Sequence, residues 1–487
     1  MAGQKHEIRT TSPVAGLRRA QLTFVQVLGQ SVSAVAPSAV MVTLPALVMP
    51  EAGRATIAVF FAAALLMTAV GYCIGQFTSR MVAVSGLYSY VVKGLGAAPG
   101  FGAGWSLVIG YAAAAMASVL GAASYLGALA GRLGLTGGTP STSLLAAAVG
   151  LLALAFMVRG IQLSARVSLA IELFAIVAAT AVLIVAFVQA SVTGGGVTPE
   201  PDGPATGSAI GFGLLIAITS FVGFESAGTV AREARNPLVA VTRAIRWTPI
   251  AVGALYVLAA ALQLPGTVGG TGNSFVLVLS LSDSAGTGAS VLSILMELGI
   301  TASWFACVIG STTALSRTLF AMGREGVLPR VLGRTHERFH TPHFALCLAM
   351  PVIVAAPVAA LVATGSSRDA MLGLLAVSAH GYVIAYILVA VAAPAFLRRI
   401  GELSRMPVIV GVSVSGALVV LVGWAALSHT YLAGAATCIY VGWLAIGMVT
   451  FAIRARRDRG LLGRMGVYDE PVADDLLGAY RPWEVRR

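Results

Sequence analysis

Apolar stretches long enough to cross a bilayer recur along almost the whole chain. Because a helix needs about 20 apolar residues to cross the hydrocarbon core, we count about twelve such spans in the 487 residues. They cover residues 22–50, 55–79, 99–130, 141–158, 167–190, 208–230, 247–265, 290–319, 343–364, 370–397, 407–427 and 431–453. With 57% hydrophobic and 10% charged residues, the chain has too little polar surface for a soluble globule. The sequence therefore predicts an all-α, multi-pass membrane protein.

A single membrane domain is expected over residues 22–453, between an N-terminal tail (1–21) and a C-terminal tail (454–487). The first span is too long for the core of a signal peptide, so we expect it to be retained. Spans 1, 3 and 8 are longer than a bilayer requires, which predicts tilt, a break or extension beyond the membrane.

Positive charge predicts the orientation of the spans. Of the 31 Lys and Arg residues, only Arg54, Arg132 and Arg368 lie in the loops that follow odd-numbered spans. Since Lys and Arg are retained on the cytoplasmic side, we expect both termini in the cytoplasm and the chain in the cytoplasmic membrane. The net charge of +12 then reflects topology and contact with anionic lipid headgroups, and it gives no reason to expect nucleic-acid binding.

One predicted span loses its apolar character halfway. Residues 209–237, AIGFGLLIAITSFVGFESAGTVAREARNP, carry Ser220, Gly223, Glu225 and Gly228 at bilayer depth. A carboxylate and glycines are costly in hydrocarbon. Because a broken helix is tolerated only where it lines an enclosed or watery cavity, this segment predicts a binding site in mid-membrane.

A second interruption lies in the corresponding position of the first half, at GQSVSAVAPSA, residues 29–39. Paired interruptions in two halves are a sequence indication of a transporter site. The end of one half-helix offers carbonyls to a cation, and the start of the next offers N–H groups to an anion. A zwitterionic amino acid fits such a pair. An ordinary proline kink at Pro37 is the alternative.

Other functional classes lack their motifs. There is no Walker motif, HExxH, GxSxG or GxGxxG after a strand, so we expect no cofactor and no ATP-driven pump or common hydrolase. The cysteines Cys73, Cys307, Cys347 and Cys438 have no metal-binding spacing and are predicted to be buried apolar residues. Scattered histidines disfavour a membrane-embedded enzyme, and the apolar spans disfavour a channel, which needs a continuous polar pore.

Three segments together resemble the amino acid–polyamine–organocation (APC) superfamily of permeases. They are GFESAGTVAREARNP at 223–237 followed by RAI at 243–245, SRTLFAMGREGVLPRVLGRTHERFHTP at 316–342, and SGLYSYVVKGLGAAPGFGAGW at 85–105. The resemblance implies a LeuT-like fold, with a five-plus-five inverted repeat, broken helices 1 and 6, and two trailing helices. The repeats would cover about 22–190 and 208–397, and the trailing helices about 407–453. It also implies alternating access at the midplane.

The resemblance also implies where a substrate binds. An α-carboxylate and an α-amine would lie among residues of spans 1 and 6, namely Ser31, Val32, Ser33, Ala34, Thr219, Ser220 and Val222. Aromatic side chains of Phe221, Phe224 and Trp304 would cap the ligand, or else pack in the core. This chain has Ala36-Pro37-Ser38 where many relatives have a turn of the Gly-Ser-Gly type.

Two glutamates are the expected gating or coupling residues. Glu225 matches the glutamate of the family's helix 6 motif, and its burial requires protonation or a hydrogen bond to the opened backbone of helix 1. Glu172 in span 5 lies near the level of a lysine that replaces a sodium ion in some relatives. The alternative places Glu172 at the interface or beside Arg159 or Arg166. Glu297 is a candidate for the outer vestibule, with exposure at the interface as the alternative. His380 is a candidate titratable group, with a structural hydrogen bond as the alternative.

The sequence gives weaker indications of the identity of the coupling ion. Hydroxyls of Ser311, Thr312, Thr313 and Ser316 are sodium-site candidates, although such hydroxyls also bond to their own helix. Acidic groups inside the spans favour a proton. Because the interior of the spans is taken to hold no Lys or Arg, neutral amino acids or cationic amines are favoured over acidic substrates. We therefore predict a secondary active transporter for an amino acid or amine, with a polyamine permease or an exchanger as alternatives.

Overall fold

The computed structural model describes residues 22–83, 85–132, 134, 139–159, 165–193, 207–264, 269–270, 277–278, 286–337, 339, 341–427 and 431–466. Twelve helical segments within them are long and apolar enough to cross a membrane, which confirms the predicted number. The helices are α1 Phe24–Val35, α2 Pro37–Ala52, α3 Ala55–Thr78, α4 Leu87–Leu95, α5 Ala97–Arg132, α6 Thr139–Arg159, α7 Ala165–Thr193, α8 Gly207–Thr219, α9 Pro237–Gln263, α10 Gly286–Arg324, α11 His343–Thr364, α12 Ser367–Arg399, α13 Arg405–Leu427, α14 Tyr431–Arg457 and α15 Leu461–Arg464.

Four short elements complete the described secondary structure. They are 3₁₀ helices at Phe224–Glu233 and Arg330–Gly333, and strands β1 Gly269–Gly270 and β2 Leu277–Val278, which pair antiparallel.

Span 1 is broken at Ala36. This residue adopts φ 52° and ψ 59° between α1 and α2, and it is the one non-glycine residue with positive φ among the described residues. The left-handed conformation costs a residue with a Cβ about 1–2 kcal/mol. Pro37 begins α2, and because proline has no N–H, the Ser33 carbonyl loses its helical donor. The span is therefore interrupted, and a simple proline kink does not describe it.

Span 6 is broken as well. Helix α8 ends at Thr219, residues 220–223 form a turn, and the chain continues as the 3₁₀ helix Phe224–Glu233. Gly223 takes φ 102°, which only glycine adopts readily. Both interruptions predicted from the sequence are therefore present.

The predicted start of span 7 was wrong. Span 7 was placed at 247–265, whereas α9 begins at Pro237, because its first turns carry Arg243 and Arg246 and fall below a hydropathy threshold. Spans 3 and 8 do not break. At 36 and 39 residues, α5 and α10 are longer than a bilayer requires. At about 1.5 Å per residue, each exceeds 50 Å.

Helix α5 lies at the centre of the bundle, and its most extensive contacts are with α10 and α12. Small residues allow this packing: a Cβ on Gly381 would lie 2.6 Å from the Ser106 carbonyl oxygen. Apolar side chains on the outer helices are exposed instead, such as Leu65 (59%), Leu173 (63%) and Val420 (72%). These faces meet lipid.

The first part of the C-terminal tail packs on α4 and on Glu325, which directly follows α10. Leu461 and Met465 join a cluster with Tyr88 and Val92 of α4. Glu325 accepts a hydrogen bond from the Gly466 amide at 2.9 Å and another from the Tyr88 hydroxyl. Outside the membrane, the hydrogen bond from Arg464 lowers the pKa of the exposed Asp458. The rest of the tail lies outside the described residues.

The prediction that all four cysteines are buried was half wrong. Cys73 and Cys307 are buried, whereas Cys347 of α11 and Cys438 of α14 are exposed. Both exposed cysteines lie on apolar helices at the outside of the bundle, where hydropathy alone does not distinguish the lipid-facing side from the packed side. All four are free thiols.

Candidate substrate site at two helix breaks

The two broken spans touch each other next to α10. A Cβ on Gly223 would lie 2.7 Å from the Ala34 Cβ, and a Cβ on Gly310 would lie 2.8 Å from the Ala34 Cα. Ala34 is therefore enclosed between two glycines. Its carbonyl, in the last turn of α1, accepts a hydrogen bond from the Cys307 thiol at 3.1 Å. The residues that lie apart in sequence thus form one junction of spans 1, 6 and 8.

Polar groups cross this junction. The Ser31 hydroxyl donates to the Phe224 carbonyl at 2.7 Å. The Gln30 side-chain amide donates to the Gly310 carbonyl at 3.1 Å, and the Ser226 hydroxyl donates to the Gln30 carbonyl at 3.3 Å. Sequence reasoning missed Gln30, although an amide one to two turns before the break in an apolar span was a usable signal.

The Glu225 carboxylate lies on the far side of the break in span 6 and is fully buried. It accepts hydrogen bonds from the hydroxyls of Tyr111 on α5 and Tyr386 on α12, each at 2.9 Å, and from the Gly223 amide at 3.2 Å. Of the two predicted alternatives, a hydrogen bond to the opened backbone of helix 1 is not among the bonds described, and protonation stays a prediction. The carboxylate turns back on its own turn because the left-handed Gly223 directs its N–H toward it.

The Glu172 carboxylate is 5% exposed and lies at the start of α2. Its Oε1 accepts hydrogen bonds from the Ser38 amide at 2.7 Å and from the Ser303 hydroxyl of α10 at 3.1 Å. The alternative of a carboxylate that reaches the interface was therefore wrong, because a free amide at the helix start is available inside the bundle. The side chains of Arg159 and Arg166 lie outside the described residues.

Three buried hydroxyls have no hydrogen-bond partner among the described residues, and they belong to Ser38 and Ser220, which adjoin the two breaks in sequence, and to Tyr256. The Tyr256 ring packs edge-on against Phe221 at 5.3 Å between centroids. Its hydroxyl lies within electrostatic range of Glu172 and of Cys307. Unpaired polar groups that are fully buried are costly, so these hydroxyls are available to a polar ligand.

The other predicted contact residues have varied settings. Val32 and Ser33 are half-buried, whereas Thr219, Phe221 and Val222 are buried. The Thr219 hydroxyl donates to the Ile216 carbonyl of its own helix at 2.6 Å. The Trp304 indole is 2% exposed and packs on Gly121 of α5, and Phe224 packs near Tyr386. Their roles in binding stay predictions.

The sodium-site candidates of α10 have separate settings, and their role stays a prediction. The Ser316 hydroxyl donates to the Thr313 carbonyl at 2.9 Å, and the Ser311 hydroxyl lies beside the Cys307 thiol. Thr312 is buried, and its hydroxyl has no partner in the described chain. Across the described residues, no group of three His, Cys, Asp or Glu side chains could hold a metal ion.

Two further titratable candidates lie away from the breaks. His380 joins α12 to α14, because its Nε2 lies 2.9 Å from the Thr437 hydroxyl. Glu297 is 2% exposed and pairs with Arg132 at the end of α5, so interfacial exposure was wrong. This pair ties the end of α5 to the part of α10 that lies 20 residues before Arg317.

An ion pair closes the junction at the end where the chain enters span 1. Arg317 of α10 contacts Glu233 at 2.9 Å and donates to the Thr229 carbonyl at 3.1 Å. The Leu22 amide donates to the Glu233 carbonyl at 2.7 Å, which joins the start of span 1 to span 6. Arg317 lies inside predicted span 8, so the statement that the spans hold no Lys or Arg was wrong at this inner end.

Removing the charge of Glu233 is expected to loosen this closure. Breaking one partner of a buried pair costs about 3–5 kcal/mol. We expect Glu233→Gln to raise the maleimide labelling rate of Cys307 by about 10-fold or more, in a background where the other three cysteines are alanine. Glu402→Gln is the matched control, since it removes an exposed cytoplasmic pair with Arg80. Equal labelling in both variants would contradict a closing role for Arg317 and Glu233.

Comparison with known proteins gives the same class as this geometry. Two mutant structures of the manganese transporter of Eremococcus coleocola are similar, with TM-scores of 0.53 and 0.52 at 14% and 13% identity. Each alignment covers 88% of this chain and 95% of the other. At this identity the likeness shows the fold, which is LeuT-like and contains the broken helices described above.

Sequence relatives narrow the class to a family. The methylthioribose transporter of Bacillus subtilis is 26% identical over 83% of this chain and 87% of its own. The branched-chain amino acid permease BcaP of the same organism is 24% identical over 81% and 84%. The low-affinity putrescine importer PlaP of Escherichia coli K12 is 26% identical over 61% and 64%.

The fold and these relatives define a multi-pass membrane transporter for small molecules, and not an enzyme. The family profile described as amino acid permease matches residues 22–453. The chain belongs to this family, in agreement with the predicted APC resemblance.

Proposed function

We propose that this chain is a secondary active transporter that moves an amino acid or a related amine across the cytoplasmic membrane by alternating access. The observation that carries the proposal is the contact of two broken spans at Ala34, next to half-helix ends whose backbone groups lack their helical partners. Broken helices with free backbone ends are the usual means of binding a small charged ligand at this depth.

Alternating access is supported by polar closures at both ends of the site. The Arg317–Glu233 pair closes the cytoplasmic end, and the Arg132–Glu297 pair ties α5 to α10 at the other end. In the proposed cycle, these pairs open in turn. The proposed orientation, with both termini in the cytoplasm, rests on the distribution of Lys and Arg.

The relatives leave three substrate classes open, since their names specify methylthioribose, branched-chain amino acids and putrescine. Uptake of labelled valine and putrescine into proteoliposomes is the direct test. A carrier shows saturation and counterflow, whereas a channel shows rates far above about 10³ per second. Absence of uptake for amino acids and amines alike, by folded protein, would reject the proposal.

We also propose that a proton is the coupling ion, and that it uses the buried carboxylate of Glu172. The groups that face Glu172 are the Ser38 amide, the Ser303 hydroxyl and the side chains of Tyr256 and Cys307. None of these carries a fixed positive charge, so a proton is the cation available to neutralise the carboxylate.

Glu172→Gln tests this coupling. The amide oxygen can still accept from the Ser38 amide, but the side chain no longer titrates. We expect the variant to retain substrate exchange and to lose the pH dependence of net uptake between pH 5 and pH 8. Net uptake and exchange are measured in proteoliposomes with and without a sodium gradient. An unchanged pH profile would return Glu172 to a structural role, and a sodium requirement would identify the other ion.

A further inference from the structure

The start of α2 is already occupied by a side chain of the protein. Because Pro37 has no N–H and the Val40 amide donates to the Ala36 carbonyl at 3.0 Å, the first free amides of α2 belong to Ser38 and Ala39. The Glu172 carboxylate takes the Ser38 amide at 2.7 Å. In a broken-helix site, this helix start is the place where a substrate carboxylate would bind.

A substrate carboxylate cannot share that position without conflict. If it used the remaining Ala39 amide, it would lie directly against the carboxylate of Glu172. Two like charges within a few ångströms in a buried site repel strongly. Ser303 fixes Glu172 further by donating to the same Oε1 at 3.1 Å.

The rest of the junction also offers acceptors. The Ser33 carbonyl at the end of α1 has no helical donor, because Pro37 lacks an N–H. Glu225 places a second buried carboxylate beside the break in span 6. The buried arginine at the inner end, Arg317, is neutralised by Glu233. Negative charge and carbonyl oxygens therefore dominate the surroundings of the breaks.

We propose that the substrate is an organic amine without a carboxylate group, and that Glu172 excludes amino acids by occupying the start of α2. This inference rests on the proposed transport function and narrows its substrate class. The ammonium group is the part that is recognised, and the hydroxyls of Ser38, Ser220 and Tyr256 are available to the remainder of the molecule.

Matched pairs of compounds that differ only in the carboxylate provide the test. The pairs are isobutylamine and valine, putrescine and ornithine, and agmatine and arginine. Competition against the best-transported labelled compound is measured with the full-length protein in proteoliposomes. Losing one charge-assisted hydrogen bond corresponds to about 10-fold to 100-fold in affinity. We therefore expect each amine to bind at least about 10-fold more tightly than its amino acid. Equal affinity, or preference for the amino acids, would overturn the inference.

Two substitutions at Glu172 distinguish the effect of filling the Ser38 amide from the effect of the negative charge. Glu172→Ala vacates the Ser38 amide, so the amine-to-amino-acid ratio is expected to fall by about 10-fold or more. Glu172→Gln keeps an oxygen on that amide but removes the charge, so its ratio is expected to lie between those of the wild-type protein and Glu172→Ala. Glu402→Gln, at the exposed cytoplasmic surface, is the control variant. A ratio unchanged in Glu172→Ala would overturn the role of this residue.

The result also separates this inference from the proposed function. Transport of amino acids in preference to amines leaves the transporter proposal in place and rejects only the substrate class. If none of the six compounds is transported by folded protein, both fail. Should Glu172→Ala not fold, the ratios of the wild-type protein for the three pairs decide alone.

Discussion

Gly223→Ala is expected to reduce uptake to below about 10% of wild type. The new Cβ would lie 2.7–2.8 Å from three atoms of Ala34, at a residue whose φ is 102°. The left-handed backbone costs about 1–2 kcal/mol, and overpacking adds about 1–3 kcal/mol. Relief requires spans 1 and 6 to separate at the site itself. The measurement is proteoliposome uptake, with thermal unfolding followed in parallel.

Gly416→Ala is the matched control for this experiment. Gly416 lies within α13, and a Cβ there would meet no atom within 4 Å. Its substitution is expected to leave uptake and thermal stability unchanged or slightly improved, because alanine favours a helix. Gly310→Ala approaches Ala34 from α10 and should resemble Gly223→Ala. Wild-type uptake by Gly223→Ala would show that the contact of the two breaks is not needed for transport.

Glu225→Gln is expected to yield folded protein with uptake reduced by about 10-fold to 100-fold. The carboxylate accepts three hydrogen bonds, from Tyr111, Tyr386 and the Gly223 amide. Glutamine offers one oxygen and one NH₂ group, so the three donors cannot all keep an acceptor. A lost hydrogen bond to a charged group costs about 1.5–3 kcal/mol, and this bond holds the turn that breaks span 6.

Two tyrosine substitutions test whether the hydrogen bonds of Glu225 stabilise the protein. Tyr386→Phe removes one donor and should lower the midpoint of thermal unfolding, whereas Tyr382→Phe should not. The Tyr382 hydroxyl is buried and has no hydrogen-bond partner in the described structure. Its ring packs edge-on against Tyr111 at 5.2 Å, so phenylalanine preserves the packing. If uptake by Glu225→Gln equals that of wild type, the proposed gating role of Glu225 is wrong.

The sequence indicated where the candidate site lies, but it did not show which residues contact each other there. Residues 29–39 and 220–228 were chosen because glycine, serine, proline and a carboxylate interrupt apolar spans, and both segments are broken. The hydrogen-bond donors of Glu225 were not predicted. Burial shows that a carboxylate needs donors, but it does not show which groups supply them. Gln30 and Arg317 were visible in the sequence inside predicted spans 1 and 8, and they were overlooked.

The sequence by itself determined the twelve spans and the places where two of them break, and it predicted their orientation in the membrane. These properties depend on local composition: hydropathy over about 20 residues, a proline without an N–H, and a glycine that tolerates positive φ. Only the tertiary structure decided what meets at the breaks. Tyr111 and Tyr386 reach Glu225 across 114 and 161 residues, and Glu172 reaches Ser38 across 134. Such contacts follow from how the helices pack, and no local pattern encodes them.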